Sequence, residues 1–127
     1  MLEGLRILIV EDDFLLAETV VRALDRAGCV VIGPAGRCDR AVELAGRSDV
    51  DVALLDINLH GEHCYSAAWL LLERKVPFAF MAAYSRSYIP SELASVAVLA
   101  KPFDETELLT MVAKLARGGV LAAFSAA

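Results

Sequence analysis

The stretch LRILIVEDD, residues 5–13, decides how the rest of the chain is read. Residues 5–10 form an apolar run broken only by Arg6, short enough for a strand, and three acids close it. Continuous apolar runs of this length suit strands buried on both faces, as in a parallel sheet covered by helices. The period then changes. Leu16, Val20 and Leu24 recur at four-residue spacing within residues 14–27, with Glu18, Arg22 and Asp25 available for a solvated face and Gly28 placed to stop a helix. A strand followed by an amphipathic helix is the unit to seek downstream.

The unit recurs. Residues 29–32 read as a strand broken by Gly33-Pro34, and 39–46 as a short helix; 52–55 form a third strand and 66–75 a helix carrying Trp69, Leu70 and Leu72. Residues 78–83 give the fourth strand, 89–94 room for only a short helix, and 97–100 a short last strand. A final helix spans 104–117, with Leu108, Leu109, Val112, Leu115 and Ala116 as its apolar stripe, Asp104 as N-cap and Gly118-Gly119 as its stop. Five strands alternating with five helices predict an α/β fold with right-handed crossovers and a doubly wound, five-stranded parallel sheet. Ligands of such sheets bind beyond the carboxyl ends of the strands.

Composition agrees with a buried interior. The 127 residues are 57% hydrophobic and 23% charged, which suits one domain with a substantial core, read as residues 1–118 followed by an apolar tail at 119–127. A net charge of -5 disfavours direct contact with a nucleic-acid backbone, which needs a surplus of Lys and Arg on one face. No apolar run reaches the roughly 18 residues of a membrane span, and the N-terminus lacks a signal peptide's charge order; no membrane insertion and a cytoplasmic location are expected. Cys29, Cys38 and Cys64 form no CxxC pair and are odd in number, so isolated, packed thiols in a reducing compartment are expected.

The topological rule selects among the polar residues. Glu11, Asp12 and Asp13 follow the first strand, Asp56 ends the third and Lys101 follows the fifth, so all belong at one edge of the sheet. Carboxylates gathered there repel, and a hard divalent cation with oxygen ligands, such as Mg2+, makes the arrangement favourable. A carboxylate beside such a cation can attack a phosphoryl donor, and Lys101, its backbone restricted by Pro102, would add a compact positive charge. Taken singly, EDD could be helix capping, Lys101 a surface lysine and Asp56 a turn cap. Their coincidence at strand ends favours a joint site. The segment LLDINLHGEHC, residues 54–64, also suggests a transition-metal site on His60, His63 and Cys64, but HxxHC spacing alone supplies no closed zinc site. Loop histidines that tune a pH response near the pocket are the expectation.

With these residues in place, the chain resembles the receiver domain of two-component response regulators over nearly its whole length. ILIVEDD (7–13) is similar to that family's first strand and acidic pair, LLDINLHG (54–61) to its phosphoacceptor segment, and AKPF (100–103) to its lysine-proline motif. VPFAFMAAYSRS (76–87) further resembles a single-domain subgroup with a PFxFxTGY-like fourth strand. The resemblance implies a flavodoxin-like sheet of order 2-1-3-4-5 with a short fourth helix. It implies Asp56 as phosphoacceptor, Glu11 and Asp12 as Mg2+ ligands together with Asp56 and the Asn58 backbone carbonyl, and Lys101 as partner of the phosphoryl group. The implied donor is a sensor histidine kinase or a histidine phosphotransfer protein, and the output is contact with a downstream protein or a second copy of the chain. No independent enzyme activity is implied beyond self-catalysed phosphorylation and dephosphorylation.

The match departs from the pattern at the switch. Ala82, with Ala83 beside it, occupies the position near the phosphoryl group where receivers place Thr or Ser, and alanine has no hydroxyl. Val98 stands where the family has an aromatic residue; Tyr84 or Ser85 could partly substitute with a hydroxyl, but two exposed loop residues are the expectation. Two other readings stay open: a receiver-like interaction module that works without phosphorylation, and a metal-dependent phosphohydrolase, for which Asp56-Ile57-Asn58-Leu59 lacks a DxDxT pattern.

Overall fold

The computed structural model describes residues 2–83 and 89–118. Its strands are β1 (Arg6–Val10), β2 (Val30–Ala35), β3 (Val52–Asp56), β4 (Asn58–Leu59), β5 (Glu62–His63), β6 (Phe78–Ala82) and β7 (Ala97–Ala100). The α-helices are α1 (Phe14–Arg26), α2 (Cys38–Ala45), α3 (Ser66–Glu73) and α4 (Glu105–Ala116). β2, β1, β3, β6 and β7 pair in that order, all parallel, while β4 and β5 form a separate antiparallel hairpin. Leaving the hairpin aside, this is the flavodoxin-like order 2-1-3-4-5.

The apolar runs explain the centre of the sheet. Every residue of β3 and all of β1 but Arg6 are buried, as strands covered on both faces require. α1 packs against α4, and α2 against α3, so helices cover the sheet in two groups. Val20 and Leu24 of α1 and Leu108, Val112 and Leu115 of α4 are buried, whereas Ala116, predicted within the same stripe, is exposed at the helix end.

The helix ends are fixed by polar contacts. Asp13 caps α1, its Oδ1 accepting from the N–H groups of Leu15 and Leu16 at 3.0 and 3.2 Å. Asp104 and Glu107 form a reciprocal capping box on α4, with bonds of 2.7 and 3.0 Å. Arg26 at the end of α1 pairs with Glu105 at the start of α4. On the other helix pair, the Arg74 guanidinium donates to the carbonyls of Ala45 and Arg47, both at 2.7 Å, so the residue closing α3 also satisfies the end of α2.

Four features differ from the sequence expectation. Among the described residues there are four α-helices rather than five, because the short fourth helix is a single 3-10 turn, Ser91–Leu93, with Leu93 its one buried residue. One apolar anchor cannot bury the face of a longer helix. Strand β2 continues through Gly33-Pro34 instead of stopping there: Leu8 pairs with Ile32 and Val10 with Ala35, so two residues bulge opposite Ile9. Proline is tolerated because β2 is an edge strand, and Gly33 adopts φ +100°.

Where the sequence suggests only a loop, residues 58–63 form the hairpin β4–β5. His60 and Gly61 at its turn both have positive φ, 53° and 81°, as tight hairpin turns require. The cysteines are not all isolated thiols: Cys38 and Cys64 are joined in a disulfide with Cα atoms 5.6 Å apart, and Cys29 alone is free and buried. Folding brings the first residue of α2 beside the end of the hairpin across a separation of 26 residues, a link worth about 3–4 kcal/mol on a loop-entropy argument.

The β2 bulge yields a test. A Cβ on Gly33 would sit 2.9 Å from Ala35 N and Ile9 O, both backbone atoms that cannot yield without moving the strand. Gly33→Ala should cost about 1–3 kcal/mol in urea unfolding. It should also shift the Glu11 amide resonance, because that N–H donates to Ala35 O at 2.9 Å.

Candidate functional site

Strand register assembles the site. Val10 pairs with Leu55, Asp56 with Met81, and Ala82 with Ala100, so the carboxyl ends of four strands reach one edge together. Two further bonds continue this order past the strands: Glu11 N–H to Ala35 O and Lys101 N–H to Ala82 O, both 2.9 Å. Glu11 and Asp56, 3% and 8% exposed, are the buried charged residues among those described. Burial at this density demands partners for both.

Each oxygen of Asp56 has one. Oδ1 accepts from Asn58 N–H at 3.0 Å, and Oδ2 from the Lys101 ammonium at 3.0 Å. The same ammonium lies 2.8 Å from Glu11 Oε1, while Glu11 Oε2 accepts from Asp13 N–H at 3.1 Å. Glu11 Oε1 is thus charge-paired yet lacks an aligned hydrogen-bond donor. Asp12 Oδ2 accepts from the backbone N–H of His60 at 2.7 Å, with that imidazole's Nδ1 at 3.8 Å.

Three carboxylates therefore face one ammonium. Burial pushes Glu11 up to about 7, with Asp56 adding to the rise and the Lys101 ammonium and the bond from Asp13 N–H opposing it. Burial alone would pull Lys101 down, but its bonds to Glu11 and Asp56 outweigh that and hold it above the ordinary lysine value. Lysine stays charged, and the surplus negative charge is relieved at the most buried acid. Glu11, Asp12 and Asp56 each bring one oxygen to a common point, all within 4.8 Å of one another. An all-oxygen set of this kind, with a buried oxygen short of a donor, fits a hard divalent cation such as Mg2+.

All the residues predicted for the site line one cavity of about 460 Å³: Glu11, Asp12, Asp56, Asn58, Ala82, Ala83 and Lys101. The run EDD divides its labour. Asp13 takes the capping role while Glu11 and Asp12 turn to the cavity, and Lys101 is no surface lysine. Val98 is half-buried and pairs with Phe80; Tyr84 and Ser85 lie outside the described residues. The His60, His63 and Cys64 group does not converge as a metal site, because Cys64 is spent in the disulfide. His63 does line the cavity, brought there by its register opposite Asn58. The only local hint of that was the His60-Gly61 turn.

Known proteins share this fold. Residues 7–113 match the response regulator receiver domain. A curated relative, the uncharacterized transcriptional regulatory protein YbdJ of Bacillus subtilis strain 168, is 35% identical over 85% of this chain and 49% of its own length. The chain spans about half the length of the curated relatives it matches. The solution structure of SdrG from Sphingomonas melonis Fr1 superposes with a TM-score of 0.78 at 30% identity, covering 88% of this chain and 96% of that one. The receiver domain of the sensor histidine kinase PA1611 from Pseudomonas aeruginosa PAO1, which has a magnesium ion coordinated in its active-site cleft, gives 0.76 at 27% identity over 90% and 98%. Since that family match spans most of its length, the chain belongs to the response regulator receiver domain family.

Proposed function

We propose that this receiver accepts a phosphoryl group on Asp56 and signals through protein contacts. The observation that carries the reading is the pairing at Asp56: one oxygen held by Asn58 N–H, the other by Lys101, beside two further acids. Glu11, Asp12 and Asp56, with the Asn58 carbonyl, would hold Mg2+. When bound, the cation supplies charge that offsets the phosphoryl oxygens and helps align the donor. An Asp56 oxygen attacks phosphorus, the P–N bond of a phosphohistidine breaks, and the imidazole leaves with the electron pair. Lys101 exchanges part of its pairing with the carboxylate for the incoming phosphoryl oxygens. The donor is a sensor histidine kinase or a histidine phosphotransfer protein, and the unit doing this is residues 1–118, acting in the cytoplasm.

Ala82 and Ala83 border the phosphoryl position, and Ala82 offers no hydroxyl to draw the loop inward. The acceptor is therefore complete while the standard means of coupling it to a surface is not. That same observation, with Val98, favours a second reading: an interaction module that works without phosphorylation. Phosphoryl uptake separates the two.

Acetyl phosphate with Mg2+ should add one phosphoryl mass to the wild type and none to Asp56→Asn; a wild type that takes up neither phosphoryl nor beryllofluoride would refute the acceptor role. Ala82→Thr should restore a bond worth about 1.5–3 kcal/mol to the phosphorylated state, so its amide spectrum should respond more strongly to beryllofluoride than the wild type's. Glu11 gives a pH signature. Its folded value of about 7 exceeds the ordinary 4.5, so the native state holds the proton more tightly. Without Mg2+, stability from this group is full at low pH and falls as pH rises from about 4.5 through 7, by about 1–3 kcal/mol. Urea unfolding at pH 5 and 8 should show the loss, and Glu11→Gln should flatten it.

A further inference from the structure

Cys64, bonded to Cys38, directly follows His63, which lines the acidic cavity. Cys64 N–H donates to Ile57 O at 2.8 Å, closing the base of the β4–β5 hairpin. The hairpin's first residue supplies Asn58 N–H to Asp56, and its turn supplies His60 N–H to Asp12. One end of the disulfide is thus joined to the loop that holds two of the three acids. The other end is Cys38, the first residue of α2, a helix packed against the sheet and α3.

We propose that Cys38 and Cys64 are a reversible thiol–disulfide site whose state sets the Mg2+ affinity of the acidic cavity, the oxidised form binding more tightly. The proposal rests on the phosphoacceptor reading of that cavity. A hairpin with two residues per strand is marginal by itself. Anchored to α2, it presents Asn58 and His60 already ordered; released, it must be ordered when the cation binds, and that cost weakens binding.

The two sulfurs differ in access. Cys64 is 4% exposed. Cys38 is half-buried and lines a second cavity of about 390 Å³ together with Arg37, Leu59 and His60. A small thiol therefore meets Cys38 first. In reduction by a low-molecular-weight thiol, RS− attacks Cys38 Sγ, the protein S–S bond breaks, and Cys64 leaves as thiolate and takes a proton. A second RS− attacks the mixed disulfide, releasing Cys38 and RSSR, so two electrons pass to the protein. A small disulfide runs the sequence backwards. Cys29 stands apart: it is buried, and burial together with Asp25 holds its thiol above the ordinary value.

Protein carrying Cys29→Ser is equilibrated in glutathione buffers of graded ratio, its free thiols are counted by alkylation and mass, and Mg2+ is titrated by NMR at fixed pH in each state. Reduction should raise the Mg2+ dissociation constant roughly fivefold, and reoxidation should restore it. Linkage supplies an independent reading, because saturating Mg2+ must shift the thiol–disulfide equilibrium toward the disulfide by the same factor. Cys38→Ser should bind Mg2+ like the reduced protein and ignore the buffer; should it misfold, the comparison of redox states within one protein still decides. Equal Mg2+ affinity in both states, or a pair that never oxidises, overturns the redox site while beryllofluoride binding keeps the phosphoacceptor reading standing. Absence of Mg2+ binding in both states overturns both.

Discussion

Negative charge at one edge of the sheet is the constraint around which the rest of this protein is arranged. Glu11 and Asp56 are almost shut off from water, and Asp12 brings a third carboxylate within 4.8 Å. Left alone, such a group could not be buried. The fold answers with a lysine whose own position is fixed by the backbone bond from Lys101 to Ala82, at the far side of β6. One ammonium cannot balance three acids, and burial eases part of the remaining charge by raising Glu11 toward its protonated form, while Asp12 keeps a hydrogen bond from His60 N–H.

The site divides across the sheet. β1 and β3 deliver the acids and the Asn58 loop, with every hydrogen bond to the acids aligned except at Glu11 Oε1. β6 and β7 deliver Lys101, and along the same two strands the pairs are Phe80 with Val98 and Ala82 with Ala100. The acids thus come from one half of the sheet and their counter-charge from the other, so the ion pairs close across its centre.

The fold was legible because its strands and helices differ so sharply in period, and because a parallel alternation sends every strand end to one side. That logic placed Asp56, Lys101, Glu11 and Asp12 together without any knowledge of distances. What stayed hidden depended on tertiary placement. Gly33-Pro34 reads as a break unless β2 is known to lie at the sheet edge, and spacing cannot tell which acid of EDD caps α1. The hairpin is too short to show a strand period. Cys38 and Cys64 carry no local pairing signal, since their meeting depends on where α2 begins relative to the Asp56 loop.

Arg74 has a consequence for the whole body of the molecule. It ties the end of α3 to the last carbonyls around α2, while the disulfide ties the beginning of α2 to the approach to α3. These neighbouring helices are therefore laced at both ends and behave as a raft. α1 and α4, across the sheet, are joined at one end by the exposed pair Arg26–Glu105 and otherwise by apolar packing, which slides more readily than a cross-link. The molecule is built with one covalently cross-linked flank and one without a cross-link among the described residues.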